Sequence, residues 1–126
     1  MPRYVILLHE MPPDHKRATH WDLMLEREGA LRTWALPGEP EPGLVCEAEQ
    51  LCDHRSIYLE YEGPVSGDRG SVTRWDEGQY RLERETLDRL TVVLTGRRLD
   101  GRLTLARKGD GSHFWRVSVS AAPTKG

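Results

Sequence analysis

Cysteine and long apolar runs are both scarce in this sequence. Its two cysteines, Cys46 and Cys52, are six residues apart, a spacing that matches none of the usual structural zinc sites. A cytosolic domain of this size usually keeps such a pair as buried thiols. The apolar run near the N-terminus, YVILL at residues 4–8, is far shorter than a membrane-spanning helix and lacks the form of a signal peptide. We therefore expect a cytoplasmic protein that does not enter a membrane.

The sequence also lacks a large excess of charge of either sign, since it has 18 Lys and Arg residues and 20 Asp and Glu residues. The balance hides an asymmetry. Residues 1–63 carry 6 basic and 12 acidic side chains, whereas residues 64–126 carry 12 basic and 8 acidic ones. One basic face for nucleic acid and one acidic face for a cation would produce this distribution, and an ordinary solvated surface would produce it too.

Over most of the chain, apolar residues do not recur with the period of a helix. Instead, short segments alternate apolar and polar residues and are separated by turn signals. This pattern predicts an all-β fold, a small closed or partly open antiparallel β-barrel with short helical turns. Helical turns fit best at residues 48–52 and 84–90. The predicted strands are 3–9, 20–26, 31–36, 56–62, 71–75, 80–85, 90–96, 102–108 and 113–120. The 126 residues are expected to form one domain and a monomer, with a frayed tail at 121–126.

The segment HWDLMLE at residues 20–26 combines an apolar set with a polar one. In a strand, Trp21 and its alternate neighbours face one way, while His20 and Asp22 face the other. His9 ends the preceding predicted strand, so antiparallel pairing would bring the two imidazoles together. Two imidazoles and a carboxylate suit a divalent first-row metal ion. On spacing alone, histidines at an exposed strand end are the commoner explanation.

A second polar pair follows at His54 and Tyr58, which would share a face if this segment were extended. Both side chains can donate a hydrogen bond to a phosphate oxygen. In the alternative interpretation, Tyr58 and Tyr61 pack in the barrel and His54 caps a turn.

Three segments together resemble a known family. They are HWDLMLEREGALRTWALP at 20–37, HRSIYLEYEG at 54–63 and DRGSVTRWDEG at 68–78. They are similar to the 3′-phosphoesterase domain of bacterial DNA ligase D and its stand-alone relatives, and the resemblance extends from about residue 3 to residue 120. It implies a single domain, residues 1–126, that acts on nucleic acid 3′ ends, with DNA end-joining proteins as further partners.

The resemblance also implies roles for individual residues. A Mn²⁺ ion, or another divalent first-row metal, would be bound by His9, His20 and Asp22, with His15 as a rival for the position of His9. His54 and Tyr58 would contact the substrate phosphate as catalytic residues.

The sequence departs from the family pattern where an arginine is expected two residues after the metal-binding aspartate. Met24 stands there, and it can neither neutralise a phosphate nor hydrogen-bond to it. The loop PGEPEPG at 37–43 is acidic where the family has basic residues. Candidate replacements for binding the phosphate are Arg17, Arg55 and Arg32, together with Lys16.

Three hypotheses follow. The first is a metal-dependent phosphoesterase that processes 3′ ends in DNA repair. The second is a non-catalytic module that binds a nucleic acid 3′ end or a repair partner and has lost the arginine at position 24. The third is unrelated small-molecule chemistry on the same barrel, because fold does not determine function.

Overall fold

The computed structural model describes residues 2–121 of the protein. The strands are β1 (Arg3–Glu10), β2 (His20–Arg27), β3 (Ala30–Leu36), β4 (Val45–Arg55), β5 (Gly63–Pro64), β6 (Ser71–Glu85), β7 (Arg89–Gly96), β8 (Asp100–Arg107) and β9 (Phe114–Ala121). One turn of 3₁₀ helix, Ser56–Leu59, lies between β4 and β5. No other helix occurs within residues 2–121, and none of these residues forms a helix long and apolar enough to cross a membrane.

Eight of these strands close into an antiparallel barrel in the order β1, β2, β3, β4, β9, β8, β7, β6, with β6 pairing back onto β1. The short β5 pairs only with the start of β6, outside the ring. The all-β barrel expected from the sequence is therefore confirmed, and it is fully closed. Closure removes the free sheet edges that an open sheet of this length would expose.

The barrel interior holds the main hydrophobic core. Inward side chains of β1 to β3, including Ile6, Leu23 and Trp34, pack against those of β7 to β9, with Trp34 meeting Trp115 edge to face at 5.8 Å between ring centroids. A second, smaller cluster lies on the outer face of β1 to β3. It comprises Val5, Leu7, Met24, Leu31, Leu59 and Val72, with Tyr58, Tyr61 and Val65 packed at its border. Strands β1 and β2 are thus buried on both faces.

The longest strand, β6, contradicts the prediction of two strands at 71–75 and 80–85. It runs unbroken through the expected turn at Gly78, because its first half pairs with β1 and its second half with β7. Gly78 is the corner between the halves, where an added Cβ would lie 2.1 Å from the carbonyl oxygen of Thr95. The glycine therefore permits close backbone approach in a strand instead of a turn.

Three further predictions were wrong around β4 and β6. Residues 48–52, expected to be a helical turn, lie in β4, whose only fully buried residue is Ala48, so the strand shows almost no apolar alternation. Residues 56–62, expected to be a strand, begin with the 3₁₀ turn, because Leu59 folds back onto the outer cluster. Residues 84–90 form the hairpin from β6 to β7 instead of a helical turn.

The remaining predicted strands agree with β1, β2, β3, β7, β8 and β9 to within a few residues. Of the expected frayed tail, Ala121 ends β9, and residues 122–126 lie outside the described residues.

Candidate metal centre

The pairing of β1 with β2 brings His9, His20 and Asp22 together on the outer face of the barrel. His9 lies opposite His20 in register, and Leu7 lies opposite Asp22. One candidate ligand atom from each of the three side chains lies within 4.8 Å of the others. Histidine nitrogens and a carboxylate oxygen at this separation suit a first-row divalent ion.

Burial makes this cluster unusual, because the side chain of Asp22 is only 3% exposed and that of His20 only 6%. His9 is also largely buried, at 13%. Asp22 Oδ2 lies 3.1 Å from His9 Nδ1, and Asp22 Oδ1 lies 3.0 Å from His20 Nε2. A carboxylate this deeply buried requires a cation or strong hydrogen-bond donors nearby.

Backbone carbonyls determine which ring nitrogens are available. His20 Nδ1 lies 2.8 Å from the carbonyl oxygen of Ala18, and His9 Nε2 lies 2.6 Å from that of Arg69. A carbonyl oxygen only accepts, so each of these nitrogens carries the proton. In the neutral rings, His20 Nε2 and His9 Nδ1 then keep their lone pairs, and both face Asp22. Orientation by an outer carbonyl is the usual arrangement for histidines that bind metal ions.

Without an ion, His9 must be protonated on both nitrogens to donate to Asp22. Burial lowers the pKa of His9, but the hydrogen bonds to Asp22 and to the Arg69 carbonyl outweigh it, and the pKa is raised. Burial raises the pKa of Asp22, but its close contacts with the His20 and His9 rings outweigh burial, and the pKa is lowered. Both shifts favour a pair of imidazolium and carboxylate in the metal-free site.

One atom of the cluster has no hydrogen-bond partner. Asp22 Oδ1 is fully buried, and although His20 Nε2 is close, the contact lacks hydrogen-bond geometry. An unsatisfied buried carboxylate oxygen costs several kcal/mol of stability in general, which an ion bound between it and the two imidazoles would offset. The residues present therefore fit a metal ion.

His54 and Tyr58 lie on the same outer face, further along the sheet. The segment that contains them is not extended as expected, because the 3₁₀ turn begins at Ser56. The two rings nevertheless pack edge to face at 5.7 Å between centroids. His54 Nδ1 donates to the carbonyl of Cys52 at 2.9 Å, which leaves Nε2 to exchange a proton. Tyr58 borders the outer cluster that contains Met24.

Met24 follows Asp22 on the same face of β2 at the two-residue repeat, about 6.5 Å along the strand. It is only 1% exposed and belongs to the outer hydrophobic cluster. This position thus offers no positive charge.

The basic residues that the sequence suggests for binding the phosphate lie in different parts of the structure. Arg17 is paired with Glu49, with Nη1 2.9 Å from Oε1. Arg32 contacts Glu85 and stacks over the ring of Trp34, away from the cluster. Arg55 and Lys16 are exposed, and neither makes an ion pair with another described residue. His15 is exposed as well, and its Nδ1 accepts from the backbone of Arg17, so His9 is the histidine that meets His20 and Asp22.

Sequence reasoning missed Arg69, whose backbone carbonyl orients His9. Arg69 lies in DRGSVTRWDEG, one of the segments that resemble the family, and Gly70 beside it was the available signal that the chain comes close to another backbone there.

A groove beside His20 extends across β3 and β4 to β9. It has a volume of about 220 Å³, and Phe114, 46% exposed, lies at the far end. Cα pairing aligns Asp22 with Ala35, Ala35 with Glu49 and Glu49 with Phe114 on one face of the sheet. An open surface with an aromatic side chain thus leads away from the cluster.

Comparison with known proteins shows the family of this chain. The sequence profile of the DNA Ligase D 3′-phosphoesterase domain matches residues 13–107. The Multifunctional non-homologous end joining protein LigD of Pseudomonas aeruginosa is 35% identical over 113 residues, covering 79% of this chain and 14% of that protein. The proteins of the same name from Mycobacterium bovis and Mycolicibacterium smegmatis are 38% and 34% identical, covering 74% and 86% of this chain. The chain spans 13–17% of the length of these relatives. The chain belongs to the DNA ligase D 3′-phosphoesterase domain family.

Proposed function

We propose that this protein is a metal-dependent phosphoesterase that processes the 3′ ends of DNA, or of strands ending in a ribonucleotide, in DNA end joining. The observation that carries the proposal is the buried cluster of His9, His20 and Asp22, with three ligand atoms within 4.8 Å and one carboxylate oxygen without a hydrogen-bond donor. Membership of the 3′-phosphoesterase family supports the reaction class. The whole chain, residues 1–126, acts as one such domain in this proposal.

The three side chains would bind Mn²⁺ or another divalent first-row ion. Such an ion supplies positive charge that polarises a phosphoryl oxygen and can activate a water molecule. The carbonyls of Ala18 and Arg69 orient the two imidazoles, so little reorganisation accompanies binding.

His54 and Tyr58 act on the phosphate. Protonated His54 donates from Nε2 to a phosphoryl oxygen, or gives its proton to the leaving oxygen, while the Cys52 carbonyl holds the ring through Nδ1. Tyr58 packs against His54 and can donate its hydroxyl to the same phosphate. The groove that ends at Phe114 accommodates the terminal nucleotide of the strand.

A second candidate function is a non-catalytic module that binds a nucleic acid 3′ end or a repair partner. Met24 favours it, because a buried, uncharged side chain stands beside the cluster. Under this alternative the protein binds metal and DNA but releases no product.

The test is a gel assay with the purified protein, Mn²⁺ and a 5′-labelled primer-template that ends in a 3′-ribonucleotide or a 3′-phosphate. Asp22→Asn removes the charge of the proposed ligand, and Asp53→Asn is the matched control, since Asp53 is exposed and outside the cluster. We expect shortening or dephosphorylation that requires both Mn²⁺ and Asp22 and is unchanged in the control. Activity that persists in Asp22→Asn would contradict the site, and metal binding without turnover would favour the binding module.

A further inference from the structure

We propose that the guanidinium of Arg69 is the cation that binds the substrate phosphate at this metal centre. The inference rests on the proposed function and identifies the source of positive charge that β2 lacks at Met24. Its chemistry is that of a phosphate monoester or diester, since a guanidinium forms paired hydrogen bonds with two oxygens of such a group.

The loop from β5 to β6 holds Arg69 against the end of β1. The backbone N–H of Val65 donates to the carbonyl of Gly70 at 2.8 Å, which closes the loop on itself. Gly70 has a φ of +75°, and a Cβ there would lie 1.8 Å from the carbonyl oxygen of Glu10. Only glycine allows this approach, which places the Arg69 carbonyl 2.6 Å from His9 Nε2.

Arg69 borders the cluster, because its carbonyl contacts His9, and its guanidinium has hydrogen-bonding capacity to spare. Its Nε donates to the carbonyl of Ser66 at 2.7 Å and its Nη2 to the Ser66 hydroxyl at 3.2 Å. These bonds use two of its five N–H groups. No described carboxylate lies within ion-pair distance of it.

Two other cations near the outer face are already engaged in ion pairs. Arg17 is held by Glu49, and Arg74 is held by Glu62 and Glu77. A phosphate that displaced either would leave a carboxylate without its partner and beside the incoming negative charge. Binding to Arg69 carries no such penalty.

Arg69 has two separate roles in this proposal, one for its backbone carbonyl and one for its side chain. The backbone carbonyl orients a metal ligand, and the side chain binds substrate. Substitution of the side chain removes the second role and keeps the first, which makes the inference separable from the integrity of the site.

The experiment measures binding of two fluorescein-labelled oligonucleotides, one with a 3′-phosphate and one with a 3′-hydroxyl, to the whole protein with Mn²⁺. Arg69→Gln removes the charge, Arg69→Lys restores part of it, and Arg89→Gln is the matched control, an exposed arginine on the hairpin from β6 to β7. Isothermal titration with Mn²⁺ alone reports the metal site for each variant.

We expect Arg69→Gln to bind the 3′-phosphate oligonucleotide about 10- to 100-fold more weakly than the wild type, with unchanged Mn²⁺ affinity. The preference of Arg69→Gln for the 3′-phosphate over the 3′-hydroxyl oligonucleotide should also become smaller. Both the affinity and the preference of Arg69→Lys should lie between those of the wild type and Arg69→Gln. Wild-type preference in Arg69→Gln, or a parallel loss of Mn²⁺ binding, would overturn the role of Arg69 and leave the proposed function standing. A wild-type protein with neither 3′-phosphate preference nor turnover would overturn both.

Discussion

Replacement of Asp22 by asparagine is the sharpest perturbation of the metal centre, because asparagine keeps the shape of the side chain and removes its charge. The carboxylate lies 3.1 Å from His9 Nδ1 and is 3% exposed. A hydrogen bond to a charged group contributes about 1.5–3 kcal/mol, against about 0.5–1.5 kcal/mol for a neutral one. We expect the metal-free variant to lose about 1–2 kcal/mol of stability near pH 6, which lowers Tm by roughly 3–10 °C.

The pH dependence of this loss has a definite sign. The raised pKa of His9 means that its contribution is fully present below its unfolded pKa, about 6.5, and is lost as pH rises through the folded pKa. The lowered pKa of Asp22 means that its contribution is present above its unfolded pKa, about 4, and is lost as pH falls through the folded pKa. The stability difference between wild type and variant should therefore be largest between about pH 4 and 6.5.

Metal binding supplies the second part of this prediction. An ion at 100 times its dissociation constant stabilises the folded protein by about 2.7 kcal/mol. Thermal unfolding followed by circular dichroism, with and without MnCl₂, should show this increase for wild type and for Asp53→Asn, and little of it for Asp22→Asn. An equal metal-induced shift in Asp22→Asn would refute the ligand assignment, and so would the absence of a shift in wild type.

Three further predictions address the surroundings of the cluster. Mn²⁺ affinity measured by titration calorimetry should fall about tenfold per pH unit below the raised pKa of His9 and level off above it, because the ion displaces a proton; affinity that is flat from pH 5.5 to 8 would contradict this. Gly70→Ala should lower both stability, by about 2–4 kcal/mol in urea unfolding, and Mn²⁺ affinity, since its Cβ meets Glu10, whereas Gly109→Ala has open space and should change neither. Phe114→Ala should weaken oligonucleotide binding about 5- to 100-fold through lost base stacking, at constant Mn²⁺ affinity; unchanged anisotropy titrations would exclude the groove as a binding surface.

The hairpin of β1 and β2 could be predicted from the sequence because its alternation is strong. Apolar residues on one face and His20 and Asp22 on the other specify a strand, and an antiparallel partner places His9 opposite His20. The same reasoning could not choose between His9 and His15 as the neighbour of that pair. The choice depends on where the loop between the strands directs its side chains, and His15 turns outward to bond the backbone of Arg17.

Strand β4 and the 3₁₀ turn after it could not be predicted from local pattern. Only Ala48 of β4 is fully buried, so the strand is defined mainly by pairing with β3 and β9. Conversely, the segment IYLEY at 57–61 looks like a strand, but Tyr58, Leu59 and Tyr61 pack onto an outer cluster that exists only once the barrel has closed. In both cases, contacts with segments that are distant in the sequence determine the secondary structure.

The sequence by itself determined the all-β class, the two faces of β2 and the residue types of a first-row metal site, because side-chain alternation and donor chemistry are local properties. Only the tertiary structure decided which atoms meet. The carbonyl that orients His9 comes from Arg69, sixty residues away in the chain, and Met24 is buried in an outer cluster that includes Leu59 and Val72 from distant parts of the chain. Those contacts follow from barrel closure and from the close backbone approach at Gly70, which no local pattern encodes.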